Sequence, residues 1–119
     1  MAFVAKLRNG IFRNTGACLS PVNAYLNLIG IETLGLRMER ECQNALELAH
    51  WIAENYSDII VNYPGLESGS WHHVAKEQFE HGYGAIFTLR VGSKEKAFKF
   101  IDSLTIPYII SNIGDTKTL

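Results

Sequence analysis

The sequence predicts an α/β (α+β) fold: N-terminal helices including one long connecting helix, then a small, mainly antiparallel sheet with helices on one face. Three observations carry this. Leu34, Met38, Cys42, Ala45, Ala49 and Ile52 recur every three or four residues, the period of one helical face. Ala85, Phe87, Leu89 and Val91 alternate with Thr88 and Arg90, the period of a half-buried strand. Helical patterns come first, and strand and helix patterns then alternate, which is the order of a long helix feeding a small covered sheet.

Taken in order, the first fifteen residues suit a surface helix with Phe3, Val4, Leu7 and Ile11 turned inward and Gly10 as an interruption. Lys6, Arg8 and Arg13 precede the first acidic residue, Glu32, a bias also found in organelle transit peptides; the missing Ser-rich stretch favours the surface helix. Ser20-Pro21 is a helix start, since Ser can accept from free N–H groups and Pro fits the first helical position. Val22, Tyr25, Leu26 and Ile29 follow at helical spacing, with Gly30 as the expected stop. The long helix is expected from Thr33 to Glu54, with Arg37, Arg40, Asn44, Glu47 and Glu54 on its other faces. Ile59 to Val61 is a short β-type run ended by the turn signal Asn62-Tyr63-Pro64-Gly65. Residues 71 to 80 suit a short helix, and Ala85 to Val91 a strand. Ser93 can cap a helix with Ala97, Phe100, Ile101 and Leu104 inside, and Pro107 to Ser111 is expected as a last strand.

The totals narrow the function classes. A formal net charge of −1 lacks the basic excess of a nucleic-acid binder, and no apolar run reaches bilayer length, so neither nucleic acid nor membrane is expected as a partner. Cys18 and Cys42 have no C-x-x-C spacing, which suits a reducing, cytoplasmic compartment.

Single residues offer little complete chemistry. His73, Glu77 and His81 are spaced for one helical face, but Gly82-Tyr83-Gly84 should fray the helix before His81, so a solvated face is preferred to a metal site. Cys42 falls on the apolar stripe as a small core residue, and Cys18 precedes the first cap without an activating neighbour. Gly82 and Gly84 come before a strand, the reverse of a dinucleotide-binding context, and read as a turn. A lysine that holds an aldehyde cofactor needs a desolvated pocket; Lys6, Lys76, Lys94, Lys96 and Lys99 fall on polar helical positions, and Lys117 follows the closing turn. Ser111 to Asp115 is a strand end turning through Gly114, where backbone N–H groups and the Asn112 amide could meet a carboxylate; most such turns only connect elements.

Four stretches together resemble one family: GACLSPVNAYLNLIGIETLGLRMERECQNALELA (Gly16 to Ala49), VNYPGLES (Val61 to Ser68), KFIDSL (Lys99 to Leu104) and SNIGDTKTL (Ser111 to Leu119). They look like the pyridoxal-phosphate (PLP) dependent enzymes of cysteine and methionine metabolism, of fold type I. Within that family they look nearest to the sulfhydrylases, which exchange the acetate of O-acetylhomoserine for sulfide or a thiol. The resemblance implies that residues 1–32 are the tail of the cofactor-binding domain, 33–56 the connecting helix and 57–119 part of the C-terminal domain. It implies a fragment, since the family's cofactor lysine in Ser-x-Thr-Lys and its later Ser-Thr-Thr-His segment are absent. It therefore implies PLP and an amino-acid substrate for the intact enzyme, a homo-oligomer there, and no cofactor or catalysis for this chain alone. Asn112 matches a family position beside the substrate α-carboxylate, and Gly114 would shape the same turn. The rival expectation is a stand-alone α/β binding or oligomerisation module.

Overall fold

A computed structural model of the chain describes residues 2–111 and 114. They divide into two compact units, Met1–Thr33 and Leu34–Leu119.

The first unit is helical throughout. Helix α1 (Ala2–Leu7) continues through a π-helical segment, Arg8–Phe12, into α2 (Arg13–Thr15). Gly10 therefore does not interrupt the helix. It sits in a wider turn that absorbs its weak helical preference without breaking the rod. Gly16 ends the rod in the left-handed conformation (φ 64°), and its N–H donates to the Phe12 carbonyl. Helix α3 (Pro21–Glu32) starts as expected: the Ser20 hydroxyl accepts from the Asn23 N–H at 3.2 Å, and Pro21 occupies the first turn. It runs through Gly30 and stops at Thr33 instead, because one glycine lowers helix propensity by only about 1 kcal/mol. Phe3, Val4, Leu7 and Ile11 are exposed, against the inward placement expected of them. The unit contains no buried residue among those described, so these side chains have no second layer within it to pack against.

The second unit carries the core. Helix α4 (Leu34–Asn55) is the expected long helix. Ala45, Ala49 and Ile52 of the anticipated stripe are buried and Met38 and Cys42 half-buried, while Leu34 at its start is exposed. Strands β1 (Ile60–Asn62) and β2 (Thr88–Arg90) form a two-stranded antiparallel sheet, with Val61 opposite Leu89 and Asn62 opposite Thr88. Strand β2 is shorter than the expected Ala85 to Val91, but the alternation runs through that whole stretch: Ala85, Phe87, Leu89 and Val91 are half-buried, and Ile86, Thr88 and Arg90 are exposed. Helix α4 packs on the sheet through Ala45, Ala49 and Leu46, against Val61, Tyr63, Leu66 and Phe87.

Helix α5 spans His72–Gln78 and α6 spans Lys94–Ser103. The Ser93 hydroxyl caps α6 by accepting from the Lys96 N–H at 3.3 Å, as its sequence suggests. Glu95 in the first turn also hydrogen-bonds Ser93, which lowers its carboxyl pKa. The expected last strand is not formed. Pro107 to Ile110 make no ladder, and Ile106, Tyr108, Ile109 and Ile110 are exposed. The run pairs with neither open edge of the two-stranded sheet, so its β-type composition alone does not make it a strand.

Candidate functional site

The stretch Asn62-Tyr63-Pro64-Gly65-Leu66 organises the second unit, and each residue has a physical task. Asn62 Nδ2 donates across the sheet to Thr88 Oγ1 at 3.3 Å. The Leu66 N–H donates to the Tyr63 carbonyl at 3.1 Å, closing a β-turn with Pro64 and Gly65 in its centre. Gly65 is needed for space. A Cβ there would lie 2.5 Å from Tyr63 Cε1 and 3.0 Å from Leu46 Cδ1. His72 Nδ1–H donates to the Pro64 carbonyl at 2.8 Å, which assigns the proton to Nδ1 because a carbonyl only accepts. The imidazole also lies beside Tyr83, with ring centroids 5.5 Å apart.

Tyr63 is the centre of this arrangement. It is 2% exposed and lies edge-to-face on Phe87, and its hydroxyl donates to the Gly84 carbonyl at 2.8 Å. Burial first, then the Cys42 thiol and the Tyr83 phenol nearby, pushes its pKa up to about 12. A phenol held neutral in this way is a hydrogen-bond donor, not a base. Its raised pKa means that the folded state keeps a proton that the unfolded chain releases near pH 10. Stability is therefore unaffected below pH 10 and falls as pH rises from 10 to about 12, by roughly 2–3 kcal/mol. The 295 nm difference spectrum between the wild type and Tyr63→Phe is expected to show Tyr63 ionising together with alkaline unfolding; ionisation near pH 10 in a folded chain would contradict this.

Two clefts of this unit border the sheet. One, of about 530 Å³, is bordered by Arg90, Ser93 and Lys94; the other, of about 350 Å³, by Pro64, Trp71 and Ile86. Neither is lined by a carboxylate, histidine or cysteine. No three His, Cys, Asp or Glu side chains converge for a metal among the described residues. Helix α5 ends at Gln78, so His81 is not aligned with His73 and Glu77; it is solvent-facing beside Glu80 at 3.9 Å. Cys18 is exposed, and Cys42 is half-buried against Gly82. No described helix is long and apolar enough to cross a membrane.

At the substrate-side turn expected from sequence, Gly114 is described and Asn112 lies outside the described residues, as do Asp115 and Lys117. Gly114 adopts φ +80°, the left-handed region that favours glycine. Its carbonyl accepts a hydrogen bond of 2.6 Å from Arg37 Nη1, across 77 positions of sequence. Sequence reasoning put Arg37 on a polar face of the long helix and missed this contact. The available signal was its place beside Met38, at the edge of the apolar stripe, where a long side chain can reach over the packed face.

A long helix packed on a small antiparallel sheet, with the Gly114 carbonyl tied back to the helix, defines an α+β unit. The chain belongs to the Cys/Met metabolism PLP-dependent enzyme family, whose model matches residues 3–119. It is 41% identical over its whole length to O-acetyl-L-homoserine sulfhydrylase 1 of Thermus thermophilus and 43% to the O-acetyl-L-homoserine sulfhydrylase of Leptospira meyeri. It spans 28% and 27% of those proteins. Among solved structures, the O-acetylhomoserine sulfhydrylase of Wolinella succinogenes superposes with a TM-score of 0.82 at 44% identity, over 98% of this chain and 34% of that one. A putative O-acetylhomoserine (thiol)-lyase of Campylobacter jejuni, which carries a pyridoxyl-lysine phosphate, gives 0.82 at 32% identity, over 98% of this chain and 29% of that one.

The family's cofactor does not fit the residues described. Lys6, Lys76, Lys94, Lys96 and Lys99 are all exposed on helices, whereas an aldehyde-binding lysine needs desolvation to be a free amine at neutral pH. Lys94 faces the first cleft, but it lies 5.7 Å from the Phe98 ring, a cation's contact.

Proposed function

We propose that this chain supplies the connecting helix and the substrate-side turn of a PLP-dependent O-acetylhomoserine sulfhydrylase. Residues 1–32 belong in this reading to the cofactor-binding domain, 33–56 to the connecting helix and 57–119 to the small domain. The net reaction is γ-replacement. The bond between the γ-carbon and acetate breaks, and a bond to sulfide or a thiol forms, giving homocysteine or methionine. Asn112 faces the substrate α-carboxylate, and Gly114 gives the turn its shape. The intact enzyme is a cytoplasmic homo-oligomer.

The observation that carries this reading is the likeness to a solved sulfhydrylase over 98% of the chain. The tied Gly114 turn supports the placement of the substrate. The test is turnover of O-acetylhomoserine and sulfide by the PLP-loaded full-length enzyme that contains this segment. Asn112→Ala is expected to raise KM for the amino acid about tenfold, the scale of one lost hydrogen bond to a charged group. An unchanged KM would reject Asn112 as a substrate contact. The 119-residue chain alone, which lacks a Ser-x-Thr-Lys segment, is expected to show no borohydride-sensitive band with PLP.

A stand-alone association module is the second reading, favoured by the exposed apolar residues of α1 and α3 such as Phe3, Val22 and Leu28. Turnover by the holoenzyme separates the two.

A further inference from the structure

We propose that Arg37 is a positioning residue, a cation on α4 that sets where the substrate-side turn sits and neutralises the Gly114 carbonyl, which would repel a carboxylate. This deepens the sulfhydrylase reading and rests on it.

The geometry supplies three reasons. First, the bond is charge-assisted, short at 2.6 Å and half-buried, so it is stronger than a neutral contact and little screened. Second, Gly114 is left-handed at φ +80°, and its carbonyl oxygen points at the Arg37 guanidinium. A carboxylate is bound by N–H donors and repelled by carbonyl oxygens. Placing a guanidinium on that oxygen cancels its partial negative charge and adds a positive field that favours the substrate anion. Third, Glu41 lies one helical turn from Arg37, and its Oε1 is buried without a hydrogen-bond partner among the described residues. Residues four apart on a helix are neighbours, so this half-buried side chain places an acceptor on the same face of α4 as the guanidinium. Arg40 is exposed on the same helix and serves as the charge-matched control.

The sequence allows a direct readout. Gly114-Asp115 is its only Gly-Asp pair, so ¹³C-carbonyl glycine with ¹⁵N-aspartate labelling of the 119-residue chain yields one resonance, from the Gly114 carbonyl. Hydrogen bonding moves a carbonyl carbon downfield. Arg37→Ala is expected to move the resonance upfield, Arg37→Lys to restore part of the shift, and Arg40→Ala to leave it in place. Should Arg37→Ala not fold, Arg37→Gln is read in its stead; it keeps the stem and loses the charged fork. An Arg37 variant whose resonance coincides with the wild type overturns the contact.

In the holoenzyme, Arg37→Lys is expected to raise KM for O-acetylhomoserine about tenfold, and to raise it more than it lowers kcat. An unchanged KM in Arg37→Ala overturns the positioning role. If Asn112→Ala also leaves KM unchanged, the reading of this turn as the substrate site has failed, whereas the carbonyl resonance reports the Arg37 contact independently.

Discussion

Truncating Tyr63 to Ala is expected to remove about 3–5 kcal/mol from the 34–119 unit, the range for deleting a buried aromatic side chain. Few other contacts could absorb the loss. Among the described residues the buried core consists of Ala45, Ala49, Ile52, Leu66 and Ala75 besides Tyr63, and three of these are alanines. The ring is the largest fully buried side chain among the described residues, so its removal leaves a cavity beside Ala45, Ala49 and Leu66 that the half-buried Leu46 and Phe87 can fill only by leaving their own places. Native domains have only about 5–15 kcal/mol in total. The expected outcome is a chain that retains helix by far-UV circular dichroism but loses a cooperative urea transition. Tyr63→Phe separates packing from hydrogen bonding. It keeps the ring and its edge-to-face contact with Phe87, but leaves the Gly84 carbonyl without its 2.8 Å donor, at about 1–2 kcal/mol. A Tyr63→Ala chain with a wild-type urea midpoint would show that the core does not depend on this ring.

Much of this arrangement could be read from local chemistry. Ser20 and Ser93 cap their helices because a hydroxyl beside an N-terminal turn has few better partners, and such a rule needs only neighbouring residues. The stripe from Met38 to Ile52 and the alternation from Ala85 to Val91 are legible for the same reason: a repeat along the chain reports a buried face directly. What failed depended on partners distant in sequence. Pro107 to Ile110 has strand composition, but composition does not say whether the run will reach and pair with an open edge. Phe3, Val4, Leu7 and Ile11 have core composition, yet their own unit gives them nothing to bury against. Gly30 looked like a helix stop because glycine is a weak helix former, but a penalty of about 1 kcal/mol is smaller than what eleven helical neighbours cooperatively supply. At the candidate site the same division applies. The Gly114 turn was visible as a turn. The arginine that reaches it lies 77 residues earlier and carried no local mark beyond its place beside the stripe.

The HGYGA stretch gives the second large effect, because its two glycines are left-handed for reasons that mutation can separate. Gly82 has φ +94° and Gly84 φ +89°. A Cβ on Gly84 would meet nothing within 4 Å, whereas one on Gly82 would lie 2.9 Å from Cys42 Cβ and 3.1 Å from Cys42 Sγ. Gly84→Ala therefore measures backbone strain alone, about 1–2 kcal/mol. Gly82→Ala adds a collision with the body of α4, where helix backbone and not a flexible side-chain end must give way, and is expected to reach roughly 2–4 kcal/mol. Placing Gly82→Ala in a Cys42→Gly background removes the obstructing atoms, so the coupling between the two sites is expected to recover the collision part and leave the strain. The collision at Gly82 also displaces the loop that covers the Tyr63 phenol, so Gly82→Ala is expected to weaken its burial and lower the pH at which it ionises from about 12. Equal destabilisation by Gly82→Ala and Gly84→Ala in urea would mean that the approach of residue 82 to α4 is not close in solution, and that the seating of this loop on Cys42 does not hold the tyrosine in place.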